Sequence, residues 1–178
     1  EDGHFSMQHS IPANAEVPVK GLLVAGGFIF TKRKFIEDIP YDPNFYFHGE
    51  ELSIALRLFT NKWDVVHIPR VPIFHFYTDV NDLDRKLHWD PEDDKNRVIK
   101  WNELDKKSKA RLTDLVNNKL KEPFGLGPDR TIEEFGKLSG VDLIKKDIVD
   151  FDRATNTFCF FKIDSDDRPF HSIISVNN

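Results

Sequence analysis

Short apolar runs separated by polar turns dominate this chain, and their spacing predicts a mixture of helices and strands. Residues 21–30 (GLLVAGGFIF) are apolar but interrupted by Gly26 and Gly27. This pattern predicts a strand, a turn with an accessible backbone and a second strand. Residues 50–60 carry apolar side chains around most of the helical circumference, so they predict a helix that is largely buried.

The rest of the chain continues the alternation of helices and strands. Leucines at helical spacing predict an amphipathic helix over about residues 105–121. A capping-box sequence at residues 131–134 predicts the start of a short helix, which Gly140 is placed to end. Residues 78–102 mix acidic and basic side chains and are predicted to form a long surface loop. The predicted strands are residues 64–68, 72–77, 157–163 and 170–176.

Composition narrows the functional classes. Hydrophobic residues make up 39% of the chain and include 16 Phe, which indicates a packed core and argues against a disordered chain. The net charge of -5, with Lys and Arg dispersed among acids, predicts that the protein does not bind nucleic acid. No apolar run approaches the ~18 residues that span a bilayer. Cys159 is the single cysteine, so no intrachain disulfide can form, and a reducing compartment is favoured.

Two pairs of residues are candidates for sugar chemistry. Gly26 and Gly27 follow an apolar strand, where a backbone without side chains lets a ligand approach closely, although an ordinary turn gives the same pattern. Glu50 and Glu51 lie at a helix start, where they could hold sugar hydroxyls or act as a general base. The alternative is that they only complement the helix dipole. Because the following helix is predicted to be buried, we expect both acids to face a cleft.

Two further features are candidates for holding a metal ion. His75 stands in an otherwise apolar strand, where it could ligate a metal or serve as a hydrogen-bonded core histidine. Asp150 and Asp152 form a DxD sequence after an apolar strand, a pattern that sugar-nucleotide enzymes use for a divalent cation. Its position near the end of the chain does not fit that role. No CxxC, HExxH or EF-hand pattern occurs.

Several short motifs in a fixed order give the chain a resemblance. They are AGGFIF at residues 25–30, IPYDP at 39–43, FHGEE at 47–51, RLFT at 57–60, WDV at 63–65 and HFY at 75–77. This order resembles the polypeptide N-acetylglucosaminyltransferases typified by the cytosolic enzymes that modify hydroxyproline, and more distantly the mucin-type GalNAc-transferases.

The resemblance implies a GT-A fold, a Rossmann-like α/β sheet that binds a nucleotide sugar together with a divalent metal, Mn²⁺ or Mg²⁺. It implies that the catalytic acids are Glu50 and Glu51, and that His75 completes the metal site. The implied donor is UDP-GlcNAc, the implied acceptor is a polypeptide or glycan hydroxyl, and the implied location is the cytoplasm.

The resemblance also assigns the donor pocket and the division of the chain. Gly26 and Gly27 would line the donor-sugar pocket, and Arg130 would reach the diphosphate. The chain would consist of a polar arm over residues 1–20, the C-terminal half of a GT-A domain over 21–142 and a small β-rich extension over 143–178. Arg57 is expected to support its helix rather than contact substrate.

The chain departs from the family pattern at two points. Lys62 stands where the family has glycine before the tryptophan, and residues 1–25 contain no DxD, which the family carries upstream of its glycine pair. The chain, which opens without methionine, is therefore predicted to be either a piece of a longer enzyme or a protein that has lost catalysis. In the second case it would be a non-catalytic carbohydrate- or protein-binding module, with Trp89 and Trp101 as candidate contact surfaces. An open sheet edge would favour self-association.

Overall fold

A computed structural model describes residues 17–68, 87–156, 161–162 and 172–175. Helices and short strands alternate along these residues, which confirms the predicted α/β class. The strands are β1 (Val19–Gly21), β2 (Ile29–Phe30), β3 (Asp64–His67), β4 (Val141–Asp142), β5 (Asp147–Ile148), β6 (Phe161–Lys162) and β7 (Ser172–Ser175). The helices are α1 (Lys34–Asp38), α2 (Glu50–Thr60), α3 (Pro91–Asp94), α4 (Trp101–Val116), α5 (Ile132–Ser139) and α6 (Phe151–Asn156).

Five strands form one sheet in the order β2-β7-β3-β1-β6. Strand β3 runs antiparallel to β1 and parallel to β7, and β7 in turn pairs with β2 in antiparallel register. Strands β6 and β7, which lie in the predicted β-rich extension, therefore belong to the same sheet as β1 to β3. The predicted strand at residues 72–77 lies outside the described residues.

Helix α2 forms the centre of the core and is buried from Leu52 to Thr60. One side packs with α4 and α5 through a cluster that includes Leu56, Leu112 and Phe135. Its other side packs with Trp63, Ile39 and Val65. Apolar residues around most of α2 predicted this burial, and the predicted bounds of the helix are confirmed.

Local signals placed the helix ends well, with one exception. Thr131 and Glu134 make both hydrogen bonds of the capping box at the start of α5, and Gly140 ends that helix with a φ of 75°. Asn61 follows the last residue of α2, where an asparagine often takes the left-handed conformation, but its φ is -94°. The residue with positive φ is Lys62, at 61°, the position where the family pattern has glycine. Glycine adopts this conformation without the steric cost that a lysine bears.

Three helical segments differ from the predictions. The predicted loop at 78–102 contains α3, and α4 begins at Trp101, several residues before the predicted start near 105. Asp150 follows the two-residue strand β5, as predicted, and Asp152 lies in the first turn of α6. The Oδ1 atom of Asp150 accepts a hydrogen bond of 2.9 Å from the backbone N–H of Arg153, and this contact starts α6. Local capping therefore accounts for this DxD sequence.

Candidate functional site

The start of α2 is the place where the predicted acids stand, and Gly49 determines its geometry. Gly49 has a φ of 87°, in the left-handed region, and precedes Glu50 and Glu51 in the first helical turn. A Cβ atom at this position would lie 3.3 Å from Cδ2 of Leu112, so α4 also presses closely against this glycine. A residue with a side chain would be strained here for both reasons.

Glu51 connects α2 to the turn between β1 and β2. Its Oε1 atom accepts a hydrogen bond of 2.5 Å from the backbone N–H of Gly26. A Cβ atom on Gly26 would lie 3.1 Å from the same oxygen, whereas one on Gly27 would meet nothing within 4 Å. The structure therefore brings the predicted glycine turn and the predicted acid pair together, and it leaves open space above Gly27.

Glu50 is held by a tyrosine, and burial shifts the pKa values of that tyrosine and of Glu51. The hydroxyl of Tyr41 donates a hydrogen bond to Oε2 of Glu50. Burial and then this hydrogen bond raise the pKa of Tyr41 to about 12, so the phenol keeps its proton and remains a donor. Burial also raises the pKa of Glu51 above its usual range, against the opposing effect of the Gly26 N–H.

Helix α4 holds the loop that leads into α2. The Nε atom of Arg111 donates a hydrogen bond of 2.6 Å to Oδ2 of Asp42, whose side chain is 1% exposed. The buried hydroxyl of Ser108 accepts from the backbone N–H of Tyr46 at 3.0 Å and donates to the backbone carbonyl of His48 at 2.6 Å. The loop is thus fixed at both its beginning and its end, which limits the positions open to the side chains it carries.

His48 makes a second contact with α4. Its Nδ1 atom lies 2.8 Å from Oδ1 of Asp105, and Oδ2 of Asp105 lies 3.0 Å from Nζ of Lys109. Burial raises the pKa of Asp105, but the hydrogen bonds from Lys109 and His48 outweigh it and hold the pKa below the usual range. Asp105 is therefore an ionised acceptor for the imidazole at neutral pH.

An aromatic cluster, defined here as Tyr46, Phe47, His88 and Trp89, lies beside this histidine. The ring of Phe47 is 4.8 Å from that of His88 and 5.4 Å from that of Trp89, centroid to centroid. Phe47 is 51% exposed and has a φ of 55°, which is unusual for a bulky residue and common at binding sites. The hydroxyl of Tyr46 contacts Nδ1 of His88. Two large rings are thus partly exposed to solvent, and one of them, Phe47, packs on His48.

Arg57 and Arg130, the two arginines to which the sequence analysis gave roles, lie away from the acid pair. Arg57 is 1% exposed and donates to the carbonyl oxygens of Pro40 and Pro123 at 2.8 and 2.7 Å, which agrees with its expected supporting role. Arg130 pairs with Asp64 at 3.0 Å, and its backbone N–H donates to the carbonyl of Thr60, at the end of α2. Because a helix of 11 residues is about 15 Å long, the structure does not bring Arg130 together with Glu50.

A cavity of about 450 Å³ lies at the Arg130 end of α2. Its charged lining includes Lys20, Asp64 and Arg130, and Asp64 pairs with both cations, at 3.3 and 3.0 Å. The lining contains neither the glycine turn nor the two predicted acids. We therefore place the candidate site at the other end of α2, where the two acids and the glycine turn meet.

The metal prediction falls outside what the structure describes. His75 and the strand predicted to carry it belong to residues 69–86, for which no structure is described. Within the described ranges, no group of three or more His, Cys, Asp or Glu residues is arranged to hold a metal ion. The described residues therefore do not build a metal site by themselves.

Sequence reasoning did not find Tyr41, His48 or Asp105. Tyr41 and His48 stand in motifs that were noticed, but nothing local marks them as partners of an acid. Asp105 was expected at the start of an amphipathic helix. Ser108 follows Asp105 by three residues, and Leu112 follows Ser108 by four. This spacing places the three residues on one face of α4. The sequence signal for Asp105 was therefore a polar residue that precedes, at helical spacing, the apolar residues of the buried face.

Residues 6–145 match the family model described as Glycosyltransferase (GlcNAc). The match includes the glycine turn, the acid pair, His48 and Asp105. No curated protein and no solved structure matches the chain. In the part of the chain that the structure describes, no helix is long and apolar enough to cross a membrane.

Proposed function

The chain belongs to the glycosyltransferase (GlcNAc) family, and we propose that it transfers GlcNAc from UDP-GlcNAc to a polypeptide hydroxyl within a GT-A fold. The observation that carries this proposal is the hydrogen bond from Gly26 to Glu51. It joins an open backbone turn to a pair of carboxylates, which can accept hydrogen bonds from the hydroxyls of a sugar. The resemblance to cytosolic enzymes and the single cysteine support a cytoplasmic location.

The proposed roles follow from the geometry at the start of α2. The open space above Gly27 is where the donor sugar would lie against the backbone. Glu50, oriented by Tyr41, would accept hydrogen bonds from sugar hydroxyls on that side. Glu51 would fix the turn and present its charge to the reacting sugar, where positive charge develops in the transition state.

The proposal includes a divalent metal, Mn²⁺ or Mg²⁺, with His75 as one ligand. When bound, such an ion neutralises charge on a departing diphosphate. We expect His75→Ala to weaken Mn²⁺ binding measured by calorimetry and to reduce the Mn²⁺-dependent rate. Unchanged metal dependence in this variant would remove His75 from the proposal.

The direct test of the proposed function is turnover of UDP-GlcNAc by the full natural chain in the presence of Mn²⁺. Glu50→Gln keeps the shape of the side chain but removes its charge, so we expect the rate to fall by about tenfold or more, as for other transition-state contacts. Glu133→Gln is the matched control, because Glu133 also lies in a first helical turn but is exposed on α5. Equal rates in both variants would reject the role of Glu50.

The aromatic cluster favours one alternative function, a non-catalytic module that binds carbohydrate. Phe47 is 51% and Trp89 36% exposed, and a pyranose can stack on rings of this kind. Under this alternative, a chitin oligosaccharide would bind with an affinity that Trp89→Ala reduces, while UDP-GlcNAc would not be turned over. Measured turnover of UDP-GlcNAc would favour the enzyme over the non-catalytic module.

A further inference from the structure

His48 has the geometry of an oriented general base. The carboxylate of Asp105 can only accept a hydrogen bond, so at 2.8 Å the Nδ1 atom of His48 is the donor. In the neutral imidazole the proton then sits on Nδ1, and the lone pair is on Nε2. Asp105 keeps this arrangement because Lys109 pairs with its other oxygen at 3.0 Å.

The backbone of His48 is fixed by hydrogen bonding, while its imidazole ring remains accessible to solvent. Its backbone carbonyl is fixed by the Ser108 hydroxyl at 2.6 Å, and the Phe47 ring packs on it at 4.9 Å in an edge-to-face contact. The side chain nevertheless remains 52% exposed. The Nε2 atom is thus both positioned and accessible, as proton transfer to a substrate requires.

His48 also lies at the same end of α2 as the acid pair. Only Gly49 separates it from Glu50 in the sequence, so their Cα atoms are at most about 7 Å apart. The acceptor hydroxyl must enter this region to reach a sugar held between the glycine turn and the acids.

We propose that His48 is the general base that deprotonates the acceptor hydroxyl, and that Asp105 is its positioning residue. This inference rests on the proposed function. As the acceptor oxygen bonds to the anomeric carbon, its proton passes to Nε2 of His48. The bond between the anomeric carbon and the diphosphate oxygen breaks, and its electron pair leaves with the diphosphate. The imidazolium then releases the proton to solvent.

The charges around His48 fit this cycle. Asp105 of α4 contacts the ring and pairs with Lys109 of the same helix, while His88, before α4, interacts with both His48 and Arg97. Asp105 contacts the ring directly, and its carboxylate carries the charge opposite to that of the imidazolium that forms. Burial, then Arg97 and His48, lower the pKa of His88, so that ring stays neutral and does not compete for the proton.

The tautomer of His48 is the first test and needs no substrate. Long-range nitrogen–proton NMR spectra of the histidine-labelled protein distinguish the two neutral tautomers. We expect the Nδ1–H form in the natural protein, and a shift toward the Nε2–H form in Asp105→Asn, whose amide can donate to Nδ1. Finding the Nε2–H form in the natural protein would overturn the assignment.

The second test compares two small acceptors, water and azide, so that the natural acceptor need not be identified. Water must lose a proton when it attacks the sugar, whereas azide is already ionised. With UDP-GlcNAc and Mn²⁺, we expect His48→Ala to slow hydrolysis by about 10²–10⁴-fold, the usual contribution of a general base. Formation of the glycosyl azide should remain within a few-fold of the natural rate. His48→Asn should behave in the same way.

The controls separate this inference from the proposed function. Asp114→Asn removes a carboxylate from α4 that is 45% exposed and pairs with Lys119, so it should change neither rate. Equal losses with water and azide in His48→Ala would show a structural role and overturn the inference alone. Absence of any UDP-GlcNAc turnover by the natural protein would overturn the proposed function, and the inference with it.

Discussion

The backbone N–H of Gly26 donates a hydrogen bond of 2.5 Å to Oε1 of Glu51, across 25 residues of sequence. This contact fixes the glycine turn against the first turn of the central helix. It uses a carboxylate that is half-buried and whose pKa is raised by that burial. Ionising such a group has a cost in stability, which is common where a charge serves function.

Replacing Glu51 by Gln should separate activity from stability. A carboxyl whose pKa is higher in the folded than in the unfolded protein destabilises the fold once the pH rises above its usual range near about 4. Glu51→Gln removes this cost and keeps an oxygen for the Gly26 N–H. We therefore expect a melting temperature at pH 7 equal to or above that of the natural protein, and a rate on UDP-GlcNAc lower by tenfold or more.

The control for this variant is Glu103→Gln, since Glu103 stands in the first turn of α4 and is exposed. It should alter neither the melting temperature nor the rate. A near-natural rate in Glu51→Gln would remove Glu51 from the site.

The two glycines of the turn should respond differently to alanine. In Gly26→Ala the new Cβ would lie 3.1 Å from Oε1 of Glu51, so the acid must shift by a few tenths of an ångström. In Gly27→Ala the new Cβ meets nothing within 4 Å. We expect Gly26→Ala to lower stability by about 1 kcal/mol and Gly27→Ala to leave it unchanged.

Gly27→Ala should instead weaken donor binding, because the added methyl group would occupy the space proposed for the sugar. Calorimetric titration of both variants with UDP-GlcNAc would measure this. Natural affinity in Gly27→Ala would place the sugar elsewhere.

Arg57 should matter for stability. Its removal in Arg57→Ala leaves the carbonyl oxygens of Pro40 and Pro123 without their donor in a site that is 1% exposed. We expect a loss of about 3 kcal/mol in the free energy of unfolding, measured by urea denaturation. Arg33→Ala is the matched control, because Arg33 pairs with Glu37 on the surface with 91% of its side chain exposed. A small effect in Arg57→Ala would show that the chain repacks around this position.

Arg130 has been assigned a structural role and a role in binding the diphosphate, and the two roles predict different results for Arg130→Ala. Loss of its ion pair with Asp64 and of its position 5.0 Å above the Phe59 ring should lower stability by about 1 kcal/mol in Arg130→Ala. Because it lies at the far end of α2, we expect KM for UDP-GlcNAc to change by less than about twofold. A tenfold rise in KM would instead support the contact with the diphosphate that the resemblance implies.

Asp105 should contribute stability that depends on pH. Its pKa is lowered in the folded protein, so the folded state binds fewer protons and gains stability above the usual carboxyl range near about pH 4. This gain is lost as the pH falls through the lowered pKa. Asp105→Asn should therefore be less stable than the natural protein at pH 7, and the difference should shrink on acidification. Urea denaturation between pH 7 and pH 3 measures it, and a difference that grows toward acid pH would contradict the sign.

The sequence by itself determined the helices at the centre of this protein. Apolar spacing predicted α2 over Glu50–Thr60, and the capping box with Gly140 predicted α5, because the signals for both lie within the helix and its immediate flanks. The sequence also identified Gly26, Gly27, Glu50 and Glu51 as candidates for one site.

Only the tertiary structure decided which of these residues meet. His48 and Asp105 are 57 residues apart, and Tyr46 and Ser108 are 62 apart, so no local pattern relates them. Their contacts arise because the face of α4 that carries Leu112 packs against α2, and this packing brings the polar residues at its margin to the entering loop. Side-chain partnership is a property of packed elements, and helical periodicity specifies the elements without specifying their neighbours.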